Sequence, residues 1–240
     1  MTWGVGSRGD WSRPLTIGLI GGLLMFGIGF RRASGRVAAT PTTELRVPRA
    51  KTPPKIDGEL DELAWTKAPA RTGAFVASDG VAAARPFSEA RVLWDETNLY
   101  VALYAADEDI RVANVPPDGP VWTGDAFRLL FTRADGSVRA IDVGPSGTIT
   151  DAAAEPGQPL DYAWQSAAKA AVDLDGTAND PSDQDEEWVV EMAIPMSALG
   201  LTPRNGERIG FAVRRCDTAL SRRSCGSWPA YAAHGVLVLE

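Results

Sequence analysis

Pro54–Trp65, PKIDGELDELAW, and the later stretch Arg91–Ile110, RVLWDETNLYVALYAADEDI, decide the fold class of this chain. In the first, Thr52-Pro53-Pro54 sets an extended approach to a turn. Glu59–Lys67 then has about two turns of helical character before Pro69 ends it. Leu60, Leu63 and Ala64 share one face of that helix, while Asp61 and Glu62 point outward. In the second stretch the apolar period changes to two. Arg91–Trp94 and Leu99–Ala105 read as strands joined by the turn residues Asp95–Asn98. Leu99, Val101 and Leu103 line one face of the second strand, and Tyr100 and Tyr104 lie on the other. Apolar groups on both faces require cover on both sides.

Working outward, the same alternation recurs. Asp125–Thr132, Val138–Val143 and Thr148–Ala153 form a meander through the turns Ala134-Asp135-Gly136 and Pro145-Ser146-Gly147. Ala168–Leu174, Glu187–Ile194, Arg208–Cys216 and Val236–Leu239 are further strands, with a helical turn at Pro195–Leu199. Gly73–Pro86 and the proline-rich 111–120 segment read as loops. Short strands with helix confined to connections predict an all-β, antiparallel sandwich.

The N-terminus stands apart. Leu15–Phe30, LTIGLIGGLLMFGIGF, is uncharged, with Arg8 and Arg13 before it and Arg31 and Arg32 after it. That pattern reads as a signal peptide or a membrane anchor within residues 1–36, with small residues at Ala33–Gly35 and Val37–Ala39 offering cleavage points. Residues 37–43 read as a linker and 44–240 as the folded domain. The expectation is an exported chain, periplasmic, surface-exposed or secreted, that touches membrane only through residues 15–30.

The whole chain carries a formal charge of −7; without residues 1–36 (five Arg, one Asp) it is −11, which is −7 minus +4. An acidic domain with no basic stripe excludes nucleic acid as a partner and is a poor fit for an anionic polymer, unless a divalent cation bridges the two. Cys216 and Cys225 are the two cysteines. In an exported chain they most simply form a disulfide, contributing about 2–3 kcal/mol for so short a loop. Zinc is the weaker reading, because His234 is the one histidine and a fourth ligand is lacking. The absence of a nucleophile elbow, a phosphate loop or a zinc-protease helix points away from an enzyme.

Six tryptophans fall in the folded part. Trp94 and Trp188 sit within period-two strands and read as core, and Trp65 seats the early helix. Trp164 carries no clear assignment. Trp122 follows the proline-rich loop and precedes a strand, so its indole suits either a ligand platform or rim packing. The acidic loop Asp175–Glu186 and Glu187 contain Asp180, Asp183, Asp185, Glu186 and Glu187, a solvated run or a structural calcium site.

The opening motif, the hairpin and the segment Trp122-Thr-Gly-Asp125-Ala-Phe-Arg128 together resemble family 9 carbohydrate-binding modules, β-sandwiches of the wider DOMON-like group. The resemblance covers about residues 44–240. It implies a non-catalytic domain that binds a sugar or another small ligand at one end of the sandwich. It also assigns Trp122 as one wall of an aromatic clamp. The family segment is W-x-x-D-x-x-E, so Trp122 and Asp125 match while Arg128 replaces the sugar-binding glutamate. Where the family has a ligand arginine this chain has Asp142, and Gly144 replaces a nearby asparagine. The charges are exchanged, and Arg128 and Asp142 can pair across the hairpin. Ser227-Trp228 matches the pair before the second clamp wall, whose loop is reduced to Pro229–Gly235 with Tyr231 as its aromatic residue. The ligand set implied is Trp122, Asp125, Arg128, Asp142, Trp228 and Tyr231. Two alternatives stand beside sugar binding: an envelope interaction domain whose cleft has closed, and a haem-binding redox module using Met192, Met196 or His234.

Overall fold

The computed structural model describes residues 42–219, 222–231 and 233–240, with the side chain of Arg222 left out. The Leu15–Phe30 segment, read above as a signal or anchor, lies outside the described residues. Among the described residues no helix is long and apolar enough to cross a membrane.

The strands are β1 (Thr42–Val47), β2 (Ala70–Arg71), β3 (Val76–Ala77), β4 (Ser88–Trp94), β5 (Asn98–Ala106), β6 (Ala126–Thr132) and β7 (Val138–Val143). They continue with β8 (Ile149–Ala154), β9 (Lys169–Asp175), β10 (Glu187–Pro195), β11 (Arg208–Ala219), β12 (Arg222–Trp228) and β13 (His234–Leu239). Two short helices connect them, α1 (Leu63–Lys67) and α2 (Met196–Leu199). One sheet has the order β1-β13-β11-β6-β7-β8, with β12 on β11 and β3 on β12; the other runs β2-β4-β5-β10-β9. The all-β sandwich expected from the alternation is present. Among the described residues the named strands all pair antiparallel except β1 with β13, which is parallel and closes one edge.

The core lies between the sheets. Leu99, Val101 and Leu103 from β5 meet Phe127, Leu129 and Phe131 from β6, with Trp94, Trp188 and Met192 among them. Large aromatic and branched side chains in period two bury one face of each sheet, worth about 25 cal/mol per Å² of apolar surface removed from water. The opposite face of β5, with Tyr100 and Ala102, packs with Leu93 and Ala193 against Trp65. This second cluster supplies the cover that the apolar pattern of β5 required, and α1 provides it.

Several elements differ from the sequence expectation, β1 and β2, which it did not include, among them. The helix begins at Leu63, four residues later than Glu59. The preceding residues are held instead by Glu191 on β10, whose carboxylate accepts the amides of Asp57 and Gly58 at 2.9 and 2.8 Å and the Trp65 indole N–H at 2.5 Å. Gly58 is required here: its φ is +98° and an added Cβ would lie 2.8 Å from the Val172 carbonyl carbon. The 73–86 loop contributes a two-residue strand, β3, because β12 offers it an edge. Finally β12 itself was not anticipated, and β11 runs on to Ala219 to pair with it. Its sequence, RRSCGSW, is polar and glycine-bearing, so strand propensity alone does not mark it.

Candidate functional site

The site is built on the outer face of the larger sheet. Register places Ser227, Arg214, Arg128, Asp142 and Thr150 in one row across β12, β11, β6, β7 and β8. Period-two alternation puts them on the side away from the core, since Phe127, Leu129 and Val213 point inward.

Trp122 stands above this row on a single 3-10 turn, Val121–Thr123. Two features fix it there. Gly124 passes so close to the preceding loop that a Cβ would meet the Arg111 carbonyl at 2.4 Å. Asp125 is fully buried, and its two carboxylate oxygens accept the backbone N–H of Arg111 and of Thr218, each at 2.6 Å. Burial first, then the charge of Asp107, pushes the Asp125 pKa up to about 8. Its two backbone bonds work the other way, but three carboxylates, of Asp107, Asp125 and Asp217, crowd within 4.8 Å of one another. Crowding and burial win. Asp125 is therefore an internal staple that aims the indole, and not a group offered to a ligand.

Arg128 and Asp142 pair as the exchanged charges predicted, through Nε–Oδ1 and Nη2–Oδ2 contacts of 2.6 Å each. Both are nearly closed to water, at 3% and 1% exposure. Burial acts to lower the Arg128 pKa, yet the hydrogen bond and charge of Asp142 overcome it and raise the value. The roof is aromatic: the Arg128 guanidinium lies 5.5 Å from the Trp122 ring centroid, and Tyr162 lies 6.1 Å from Trp122. Tyr162 adds to the upward push on the Arg128 pKa. In this arrangement the pair satisfies itself beneath the aromatics, which corrects the expectation of two polar groups facing a ligand.

The second wall is different again. Trp228 is 7% exposed and packs on Phe211 with ring centroids 6.0 Å apart, so it belongs to the core. Alternation along β12 turns Ser227 outward and Trp228 inward. Tyr231, beyond Pro229, is 42% exposed, and the Arg214 guanidinium covers its ring at 4.6 Å. Arg223 donates from Nη2 to the Trp122 carbonyl at 2.9 Å. Trp122 and Tyr231 thus flank a strip of arginines. The Cys216–Cys225 disulfide, with Cα atoms 4.2 Å apart, joins β11 to β12 on the same face.

The structure also locates the remaining candidates. The acidic loop does not converge on an ion site. Asp185 is buried with its oxygens taken by the Ile110 and Thr177 amides, Asp180 accepts from Ser182, and Glu187 accepts from the Tyr104 hydroxyl. The carboxylates that do converge are Asp107, Asp125 and Asp217. Oxygen donors suit calcium, but the Arg215 guanidinium already contacts Asp107 at 2.6 Å and Asp217 at 3.6 Å as a fixed cation. Met192 and Met196 are both in the core, and His234 is exposed at the start of β13, so these three do not form a haem site in this arrangement. A groove of about 290 Å³ opens between β8 and the residues leading into β9, beside Thr148, Asp151 and Gln165.

Sequence reasoning missed Tyr162, Arg214 and Arg223. Tyr162 lies in an aperiodic stretch, and the arginines could be placed only once β12 was recognised as the partner of β11.

The geometry defines a β-sandwich with an aromatic-flanked outer sheet face. The likeness to family 9 carbohydrate-binding modules is shown by a family model, described as Carbohydrate family 9 binding domain-like, that matches residues 56–135. Among solved structures, a protein from Bacteroides uniformis, named only provisionally as carbohydrate-binding, aligns with a TM-score of 0.65 at 15% identity, covering 83% of this chain and 99% of its own. A family 9 carbohydrate-binding module from Caldicellulosiruptor kristjanssonii is similar too. Its complex with cellotriose gives a TM-score of 0.55 at 18% identity, over 82% of this chain and 94% of that one. Its complex with glucose gives 0.57 at 18%, over 82% and 96%. At these identities the likeness is one of fold. No curated protein matches the chain significantly.

Proposed function

We propose that the domain is a non-catalytic carbohydrate-binding module, acting outside the cytoplasm and either released from or held by its apolar N-terminus. The observation that carries this reading is the aromatic rim. Trp122 and Tyr162 on one side and Tyr231 on the other flank the arginine row on a sheet face otherwise fixed by strands. Tyr162 and Tyr231 are among the few large side chains left 41–42% exposed. Rings so placed stack on the apolar face of a sugar, while guanidinium N–H groups bond its hydroxyls. The fold shared with the sugar complexes named above supports the same reading.

Isothermal titration of the full chain against cello-oligosaccharides, with Trp122→Ala as comparison, tests it. Heat that disappears in the variant is expected; no heat from a folded wild-type protein with any sugar class removes the proposal. A second reading, an interaction domain whose cleft is closed, is favoured by one observation: the Arg128–Asp142 pair, which stands where the family has its sugar-binding glutamate and arginine, is buried, and so is Trp228.

A further inference from the structure

We propose that β9 is a self-association edge: it pairs antiparallel with β9 of a second copy of this chain, about a two-fold axis at Val172, and joins the smaller sheets of the two copies into one. The proposal stands apart from the sugar-binding reading.

β9 ends the smaller sheet and is bonded to β10 on one side. The Asp175 carbonyl accepts the Glu186 amide at 2.9 Å, so the backbone of Asp175 faces β10. Backbone direction alternates along an antiparallel ladder, so Ala170, Val172 and Leu174 turn their N–H and C=O groups away from it. Among the described residues no hydrogen bond reaches those outward groups. The opening segment meets β9 from the outer face at Gly58, and the 145–147 turn touches the Val172 side chain at Gly147, but neither bonds to the edge. The edge of β8 is treated differently. Its Ile149 carbonyl accepts the Asp118 amide, and Ala153 exchanges both bonds with Asp161. One sheet end is thus covered by its own chain, whereas β9 presents the row of unpaired groups that another strand can use.

The occupant follows from the sequence of β9, KAAVDLD, which is complementary to itself. With Val172 opposite Val172 of the second copy, Ala170 lies opposite Leu174, so every outward-facing residue enters a hydrogen-bonded pair. The same register sets Lys169 opposite Asp175 at both ends, in the closer, non-hydrogen-bonded pairs. Ala170, Val172 and Leu174 pack toward the core, so Lys169 and Asp175 share the outer face, and both are exposed. Among the described residues neither is in an ion pair. Asp175 also lies directly opposite Glu187 on β10, a like-charge neighbour that a lysine on its other side offsets. Exposed ion pairs contribute little energy, so the backbone bonds supply the affinity and the lysine–aspartate pairs fix the register. The axis stands perpendicular to the joined sheet, which puts both larger sheets on one side of it. Under the sugar-binding reading, both Trp122 faces then point the same way and suit two-point attachment to a polymer.

The experiment is sedimentation velocity of the full chain without ligand, from about 1 µM to about 1 mM, where a small interface becomes populated. The mass is expected to rise from one chain to two. Val172→Pro removes an N–H that β10 does not use, so it should abolish the dimer while leaving the near-ultraviolet circular dichroism unchanged. Lys169→Asp and Asp175→Lys should each weaken association about tenfold, and the two together should restore it to within about twofold. This charge exchange carries the test should the proline variant unfold. A mass of one chain at every concentration overturns the proposal. A two-chain mass undiminished in folded Val172→Pro places the contact elsewhere and overturns it as well. A double variant no better than the single ones rules out the register on which the pairing depends.

Discussion

The outer face of the five-stranded sheet and the outer face of the larger sheet each bury a charged side chain, Glu191 on one and Arg128 on the other. Glu191 is satisfied by neutral donors, the amides of Asp57 and Gly58 and the Trp65 indole. Those donors come from a continuous stretch of chain that also lays α1 over the sheet, so the face is sealed by scaffold. Arg128 is satisfied by an opposite charge one strand away, and its cover is two aromatic rings from separate loops. One face is closed by local sequence; the other is closed only at its centre and stays lined with exposed rings and arginines. The binding role proposed above is assigned to the second.

The comparison can be broken most forcefully at Arg128. Arg128→Ala leaves the Asp142 carboxylate buried and unpaired and should cost about 3–5 kcal/mol in urea unfolding, whereas Arg128→Leu with Asp142→Leu should fall near wild type. A single variant as stable as wild type would show the pair to be open to water after all. Next, Glu191→Ala orphans three donors and should lose about 3 kcal/mol, with Glu191→Gln losing less. A loss below about 1 kcal/mol would mean that the Pro54–Trp65 clasp does not seal its sheet.

The staple beneath Trp122 gives a pH signature. Asp125 has its folded pKa at about 8 against an ordinary 3.8. Because the folded value is the higher one, this group's contribution is complete below about pH 4 and declines as pH rises through about 8. Unfolding midpoints at pH 5, 7 and 9 should drop across the series, and Asp125→Asn should flatten the drop; an equal drop in that variant assigns it to other groups. The smallest effect on stability is expected at the open rim. Tyr231→Ala should shift unfolding by about 0.5 kcal/mol or less, although it should weaken sugar binding. A large loss of stability would make Tyr231 a structural residue.

Much of the scaffold was legible because it is periodic. The hairpin β4–β5, the meander β6–β7–β8 and the core positions of Trp94 and Trp188 follow from alternation and turn chemistry, which act over a few neighbouring residues. So did the Arg128–Asp142 contact, since two positions on adjacent hairpin strands are tied by register. Less of the site was legible. Asp125 matched a binding pattern but proved to be a staple, because its partners, Arg111 and Thr218, lie 14 and 93 residues away. Trp228 matched as well, yet a single step of alternation on an unanticipated strand turned it inward.

The amino-acid sequence by itself determined the sandwich, the disulfide-forming cysteines and the existence of an aromatic beside an exchanged charge pair, since these depend on period, spacing and residue chemistry. Only the tertiary structure decided which face remains accessible and which charges meet there. Tyr162 lies far along the chain from Arg214, Arg223 and Tyr231, and their convergence is set by strand order and register, which no local pattern encodes.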